Sequence, residues 1–257
     1  MNLSELKCNS NHTELFNQLI PICHNIQSLD IIFKCNVSKD LKDLISSQNC
    51  LKHLSLIQPY YKYFNELQYY IKFTQLQILK FDYACPKVES LITFLEINGN
   101  NLKELYLYKC NNLLNLSIAI FCPNLKSLFT LFMKNELETL KLILINCQQL
   151  ESIKIWCGSN YLKENDMLEI IVKNSSKNFH ELNLYNYVKS DLLSKDLESF
   201  FISWKDRIPS KSITFIVIKG FGGSLDTNNE NMKIIEKYKK FGIIKKFLVE
   251  KKKIFCR

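Results

Sequence analysis

A six-residue motif, apolar-x-x-apolar-x-apolar, recurs along this chain at nearly even intervals. Neighbouring copies begin 23 to 31 residues apart, and this period is typical of stacked repeat proteins. Full copies (IQSLDI, LKHLSL, LQILKF, LKELYL, LESIKI and FHELNL) begin at Ile26, Leu51, Leu76, Leu102, Leu150 and Phe179, weaker ones at Leu125 and Ser210, and a partial one, LSEL, at Leu3.

The direction of the side chains gives each copy a structure. Alternate residues of a strand face the same side, so Leu105 and Leu107 point together into a core, and Leu102 turns inward just before them. Between the strands, apolar residues recur at helical spacing. Examples are Leu41, Leu44 and Ile45; Leu137, Leu140 and Leu144; and Leu168, Ile171 and Val172. One strand–turn–helix unit cannot bury its own apolar face, but a stack of units buries a continuous core.

The cysteines follow the phase of the repeat. Cys23, Cys122 and Cys147 each stand three residues before a repeat start. Another group, Cys35, Cys110 and Cys157, falls a few residues after predicted strands. This arrangement resembles the cysteine-containing class of leucine-rich repeats, whose unit reads LxxLxLxxC, then a helix, then CxxL. The resemblance runs from about residue 3 to residue 218, and it implies that these thiols are small buried hydrophobes.

The predicted fold class is therefore α/β, a leucine-rich repeat solenoid with a curved parallel sheet on its concave side and helices on its convex side. The solenoid is expected over residues 1–218, and a loop and a basic C-terminal capping helix over residues 219–257. Apolar residues from Met232 to Leu248 lie along one helical stripe, and the Gly220–Ser224 stretch is interpreted as a loop that ends the array.

Residues that would support catalysis or metal binding are not arranged for it. There is no C-x-x-C pair, so no zinc site is predicted. The four histidines occupy unrelated repeat phases, and His53 is expected on the surface. No signal peptide precedes the array, and no apolar stretch approaches the roughly 18 residues of a membrane span. These features predict a protein in a reducing, cytoplasmic compartment, with the nucleus as the alternative, and no enzyme activity, cofactor, metal, disulfide or membrane association.

The net charge of +9 is concentrated at the C-terminus. Residues 233–257 hold ten lysines or arginines against two glutamates, whereas the rest of the chain is nearly neutral. A nucleic-acid surface would be expected to spread along the body of the repeat array, so nucleic acid is not the predicted partner. An import signal or a patch for acidic partners at Lys251-Lys252-Lys253 remains the alternative to a capping role.

The predicted binding face is the concave sheet. Its outward positions alternate with the buried leucines, and aromatic residues gather there in neighbouring repeats. Tyrosine and tryptophan dominate binding hot spots, so these rings are candidate anchors for a protein substrate. The alternative is that the rings only stack on their cross-strand neighbours. The candidate partner-binding residues are Tyr106, Tyr108, Phe129, Lys154, Trp156 and Tyr185.

The amino-acid sequences of several repeats resemble the repeat region of fungal F-box-like proteins. Examples are CPNLKSL, LESIKIWCG and FHELNLY. This resemblance implies a non-enzymatic substrate-recognition arm of an SCF-type ubiquitin ligase, acting in ubiquitin-dependent degradation. The F-box itself, which docks the ligase linker subunit, is not present in this sequence. Because LSEL already reads as a strand, we expect a preceding segment in a fuller relative, or a partner over the first repeat. A stand-alone scaffold or sensor, and a binder of nucleic acid or acidic partners through the basic tail, are the competing hypotheses.

Overall fold

The computed structural model describes residues 3–33, 38–58, 73–83, 85–207, 211–219 and 223–251. Strands and helices alternate along most of the described chain. The strands are β1 (Glu5–Asn9), β2 (Ser28–Ile32), β3 (His53–Gln58), β4 (Ile78–Tyr83), β5 (Glu104–Cys110), β6 (Ser127–Leu131), β7 (Ser152–Cys157), β8 (Glu181–Asn186), β9 (Ile213–Lys219) and β10 (Ile244–Lys251). The helices are α1 (Thr13–Leu19), α2 (Lys39–Ser46), α3 (Val88–Asn98), α4 (Asn112–Phe121), α5 (Leu137–Asn146), α6 (Glu164–Asn174), α7 (Ser194–Lys205) and α8 (Asn229–Lys240).

The chain forms two compact units. The first comprises Met1–Lys109 with Ile120–Leu125, and the second comprises Cys110–Ala119 with Lys126–Arg257. Strands β1 to β5 are parallel neighbours in sequence order in the first unit, and β6 to β10 are so in the second. The predicted α/β class with parallel strands is confirmed. The division at residue 218 stays a prediction.

Residues at the same phase of the motif lie side by side on neighbouring strands. In the first unit Leu29 pairs with Leu54, Leu54 with Leu79, and Leu79 with Leu105. All four side chains are fully buried, as the motif predicts. In the second unit the equivalent positions, Leu128, Ile153 and Leu182, are also paired and buried.

The same backbone hydrogen-bonding pattern recurs at the starts of β2, β3, β4, β5, β7 and β8. A single carbonyl accepts two successive N–H groups from the next repeat. The Gln27 carbonyl, for example, accepts from Lys52 and His53, both at 2.9 Å. In the second unit the Glu151 carbonyl accepts from His180 and Glu181 at 2.9 and 3.1 Å. This shared contact holds neighbouring strands in the register that buries their leucines.

The turn into each strand explains the cysteines that precede the motif. Cys122 and Cys147 are fully buried, and their carbonyls accept from the N–H of Leu125 and Leu150, three residues later. Gly99 holds the same position in an earlier repeat. A Cβ placed on Gly99 would lie 2.7 Å from the Phe121 carbonyl oxygen and 2.9 Å from Cys122 Sγ, so close packing of adjacent turns requires glycine there.

The predicted copy starting at Ser210 is wrong by two residues. It places Thr214 opposite Asn183, but Thr214 pairs with Glu181, and Asn183 pairs with Ile216. The buried pair on β9 is therefore Phe215 and Val217. Because apolar residues alternate throughout ITFIVIK, a shift by two residues leaves the same faces buried, and the pattern alone could not distinguish the two registers.

The prediction of one C-terminal helix reaching Leu248 is also wrong. Helix α8 ends at Lys240, and Gly242 at φ 71° ends it in a left-handed turn. Its N–H donates to the Lys239 carbonyl, and the Ile243 N–H donates to the Tyr238 carbonyl, which together form a Schellman motif. The chain then forms β10, which pairs with β9 and exposes Lys245 and Lys246. Of the alternative patch at Lys251-Lys252-Lys253, Lys252 and Lys253 lie outside the described residues.

Among the described residues, no helix is both long and apolar enough to cross a membrane. The helices bury one face each, as on α2, where Leu41, Leu44 and Ile45 are buried. Ser38 caps this helix by accepting from the Leu41 N–H at 3.1 Å.

Candidate functional site

The strongest concentration of aromatic residues lies where β7 and β8 end, in the second unit. Trp156 and Tyr185 are cross-strand partners there, with ring centroids 4.4 Å apart. Two further rings come from the loops that follow these strands. Tyr161 stands edge-on to Trp156 at 5.4 Å, and Tyr187 stacks on Trp156 at 6.0 Å. These four residues, Trp156, Tyr161, Tyr185 and Tyr187, are called the aromatic cluster below.

The aromatic cluster is more enclosed than the sequence predicts. Trp156 is only 9% exposed, and Phe129 and Tyr185 are each 1% exposed, so the expectation of open, outward rings is wrong for these three. Neighbouring rings cover one another, because residues on paired strands stand close enough for aromatic side chains to touch. Tyr187, at 42% exposure, is the ring of the cluster that solvent reaches most.

The remaining predicted residues fall into two places. Lys154 belongs to the second unit and lies over the Phe129 ring, 5.0 Å from its centroid. Tyr106 and Tyr108 belong to the first unit. Within it, Lys80 lies 4.6 Å from the Tyr106 ring centroid, and Tyr108 is 36% exposed.

Sequence reasoning missed Tyr161 and Tyr187, because both lie outside the strands. The signal for Tyr161 is the preceding Gly158-Ser159-Asn160, a turn-forming run. In the structure Gly158 and Ser159 have φ of 86° and 56°, which turns the chain back so that the Gly158 N–H donates to the Leu162 carbonyl at 3.0 Å. Nothing in the sequence indicates that this turn brings Tyr161 over Trp156.

Backbone contacts tie the three loops beside the aromatic cluster together. We define the loop edge as residues 132–136, 158–163 and 187–193, which follow β6, β7 and β8. The Lys134 N–H donates to the Asn160 carbonyl at 2.9 Å, and the Tyr187 N–H donates to the Cys157 carbonyl at 3.0 Å. Backbone hydrogen bonds therefore join the loop after β6 to the loop after β7, and the loop after β8 to the end of β7.

A buried carboxylate holds the loop that carries Tyr187. Glu164, at the start of α6, is 2% exposed. Ser190 Oγ donates to its two oxygens at 2.9 and 2.8 Å, and the Asp191 N–H donates to Oε2 at 3.2 Å. The pKa of Glu164 is raised, mainly because the carboxyl is buried. Hydrogen bonds from Asn186 and Ser190 lower the pKa, and the nearby charge of Asp191 raises it.

A second buried carboxylate, Glu136, organises the preceding loop. It is 4% exposed, and its Oε2 accepts from Asn115 Nδ2 at 2.9 Å and from the Met133 N–H at 3.3 Å. Asn115 also accepts a hydrogen bond from Thr130 Oγ1 at 2.9 Å. In both cases a glutamate at or beside the start of a helix accepts hydrogen bonds from a loop and so fixes its backbone. Glu136 fixes the loop after β6, and Glu164 fixes the loop after β8.

Several buried thiols are poor nucleophiles. Burial raises the pKa of Cys8 to about 11 and that of Cys147 to about 12, and it raises the pKa of Cys157 well above its usual value. A thiol in this state stays protonated, and the thiolate is the reactive form. Cys35 and the Cys110 side chain lie outside the described residues. The cysteines described as free are Cys8, Cys23, Cys50, Cys85, Cys122, Cys147 and Cys157.

His53, expected as a surface residue, is half-buried on the sheet face of the first unit. Its Nδ1 lies 3.0 Å from Ser28 Oγ, and burial, followed by the charge of Lys80, lowers its pKa. Within the described ranges, no three His, Cys, Asp or Glu side chains are placed to hold a metal ion. The predicted loop at Gly220–Ser224 is described only from Gly223 onward.

No protein-family model matches the chain, and no curated protein is significantly similar to it. The functional assignment therefore depends on the fold and on the geometry of the aromatic cluster and the loop edge.

Proposed function

We propose that this protein is a non-enzymatic leucine-rich repeat scaffold that recognises another protein. The leucine-rich repeat assignment is supported by the motif phase, since Leu29, Leu54, Leu79 and Leu105 are buried partners on successive strands. It is also supported by the shared carbonyl acceptor that recurs at the strand starts. Stacked repeats of this kind offer extended binding surfaces.

The observation that carries the proposed function is the exposure of apolar side chains on a rigid base. Tyr187 and Val188 are 42% and 39% exposed, and Leu193 is 54% exposed. Beneath Tyr187 lies Trp156, and the loop is held by Glu164. An exposed aromatic residue on a preorganised support loses little conformational freedom on binding, which favours affinity.

The raised pKa values of the buried thiols support a non-covalent role over a cysteine-based reaction. The preferred partner is a protein substrate bound at the strand ends of the second unit. Nucleic acid is not the proposed partner, and the protein is proposed to act in the cytoplasm without membrane association.

We also propose that the chain is related to the substrate-binding arm of an F-box ubiquitin ligase, on the basis of its repeat sequences. Recovery of ligase linker and cullin subunits with the tagged protein from cells would support it. Recovery of an abundant partner without these subunits would favour a stand-alone scaffold.

The recognition function can be tested by comparing proteins captured by three immobilised forms of the chain. These are the wild type, Tyr187→Ala, and the control Ile97→Ala, which truncates a 72% exposed residue on α3. We expect the wild type and the control to retain the same partner and Tyr187→Ala to lose most of it. In a titration, Tyr187→Ala should weaken the binding free energy by about 2 kcal/mol. Identical retention by all three forms would reject the proposed site.

A further inference from the structure

Three lysines stand on the loop edge, one in each loop. Lys134 follows β6, Lys163 follows β7 and Lys189 follows β8. All three are exposed, and none forms an ion pair with any residue in the described part of the chain. The three loops lie at one edge because they follow the C-terminal ends of three neighbouring parallel strands. Backbone hydrogen bonds from Lys134 to Asn160 and from Tyr187 to Cys157 reinforce this arrangement.

The loop edge carries little compensating negative charge. Glu136 and Glu164 are buried and enclosed by hydrogen-bond donors. Asp191 is the exposed carboxylate of these three loops, all of which the structure describes. Within these loops three lysines stand against two carboxylates, Glu136 and Asp191, and on the exposed surface three lysines stand against one aspartate, which favours anions.

The apolar residues of the loop edge distinguish between kinds of anionic partner. Tyr187, Val188 and Leu193 are exposed beside the lysines, and they match apolar side chains rather than phosphates. A single nucleic-acid strand would need successive open rings for its bases. Trp156 and Tyr185 are instead buried by their neighbours, so the cluster offers only Tyr187 as a substantially open ring.

We propose that the loop edge binds an acidic segment of the partner protein, in which one apolar residue is flanked by aspartate or glutamate. The apolar residue would lie against Tyr187 and Val188, and the carboxylates would lie beside Lys134, Lys163 and Lys189. This inference rests on the proposed recognition function and specifies the chemistry of what is recognised. Complementary charge at such a rim governs partner choice and the rate of association.

The test is a selection from a random-sequence peptide library displayed on phage. The baits are the wild type, a variant with Lys134→Glu, Lys163→Glu and Lys189→Glu, and the control Lys177→Glu. Lys177 is exposed in the turn before β8, away from the C-terminal ends of the strands. We expect the wild type and the control to enrich peptides with Asp or Glu around an apolar residue. The triple variant should lose that enrichment.

A peptide selected by the wild type is then synthesised and titrated against each form. The triple variant should bind it ~10-fold or more weakly, and Lys177→Glu should stay within about twofold of the wild type. Thermal melting of each form shows whether the variants fold. If the triple variant is unfolded, the single changes replace it, each with an expected loss of about threefold.

Several results would overturn the inference. One is a wild-type selection without enriched acidic residues, and another is equal enrichment by the triple variant. A third is displacement of the selected peptide by an oligothymidine strand at lower concentration than by the free peptide, which would favour nucleic acid. If acidic peptides are not selected but partner capture still depends on Tyr187, recognition stands and only the acidic specificity falls. If capture also fails to depend on Tyr187, the proposed function falls with it.

Discussion

Trp156 and Tyr185 stand opposite each other on β7 and β8, with ring centroids 4.4 Å apart and both side chains buried. Truncation of Trp156 therefore removes a buried packing contact and should affect stability as well as any binding. We expect Trp156→Ala to lower the free energy of unfolding by about 3–5 kcal/mol, because it leaves a cavity among the rings of Phe129, Tyr161, Tyr185 and Tyr187.

Urea denaturation measures this loss, with Tyr187→Ala as the matched control from the same cluster. Tyr187 is 42% exposed, so its truncation should cost about 1 kcal/mol. Equal stability losses for the two variants would contradict the assignment of Trp156 as the buried base and Tyr187 as the exposed contact.

Leu105→Ala should destabilise the first unit by about 2–5 kcal/mol, since Leu105 is fully buried beside Leu79. The control is Lys103→Ala, which changes an exposed residue just before the same strand. Thermal melting should separate the two variants clearly. Coinciding melting curves for Leu105→Ala and the wild type would mean that the assigned face of β5 is wrong.

Glu164 makes stability depend on pH. Its folded-state pKa is raised above the usual 4.5, so the folded form holds the proton more tightly than the unfolded form does. The stabilising contribution is complete below pH 4.5 and is lost as the pH rises through the folded pKa. Asp191 and Cys157 are the titratable neighbours, and the charge of Asp191 adds to the shift in the Glu164 pKa.

Denaturation of the wild type and Glu164→Gln across a pH series tests this account. The stability of the wild type should fall relative to that of Glu164→Gln as the pH increases from 4.5. A constant difference between the two profiles would show that the Glu164 carboxyl is not perturbed as described.

Buried thiols should resist alkylation in the folded protein. Cys147 is fully buried and its pKa is raised to about 12, whereas Cys50 is half-buried. Among the cysteines that the structure describes, iodoacetamide at mildly alkaline pH should label Cys50 before Cys147 and Cys157, which should react only in denaturing urea. Peptide mass mapping reads the order, and prompt labelling of Cys147 in the folded chain would contradict its placement.

The core could be predicted from the sequence because the repeat supplies the same information many times. A slip of one residue would expose Leu54 and Leu56 together, so the register on most strands is determined by the motif. The shift of two residues on β9 could not be predicted, because ITFIVIK places apolar residues at the buried positions in both registers. Gly242 was a local signal for the early end of α8. The apolar residues of β10 continue the helical spacing, and this hid the signal.

The candidate site was only partly predictable. The strand residues Trp156 and Tyr185 follow from the period of two, but the covering rings Tyr161 and Tyr187 depend on loop conformations. In the sequence, the buried glutamates Glu136 and Glu164 look like ordinary acidic residues at helix starts. Their burial follows from contacts with other repeats, which no local pattern specifies.

Hydrogen exchange of the protein with and without its captured partner tests the central claim most directly. Amides that become covered exchange more slowly, so the footprint of the partner can be read along the chain by mass spectrometry. Recognition at the loop edge predicts slowed exchange within residues 158–163 and 187–193 and unchanged exchange on α3. Unchanged exchange in both loops, with protection confined to residues 229–251, would contradict the claim and move the binding site to the basic C-terminal segment.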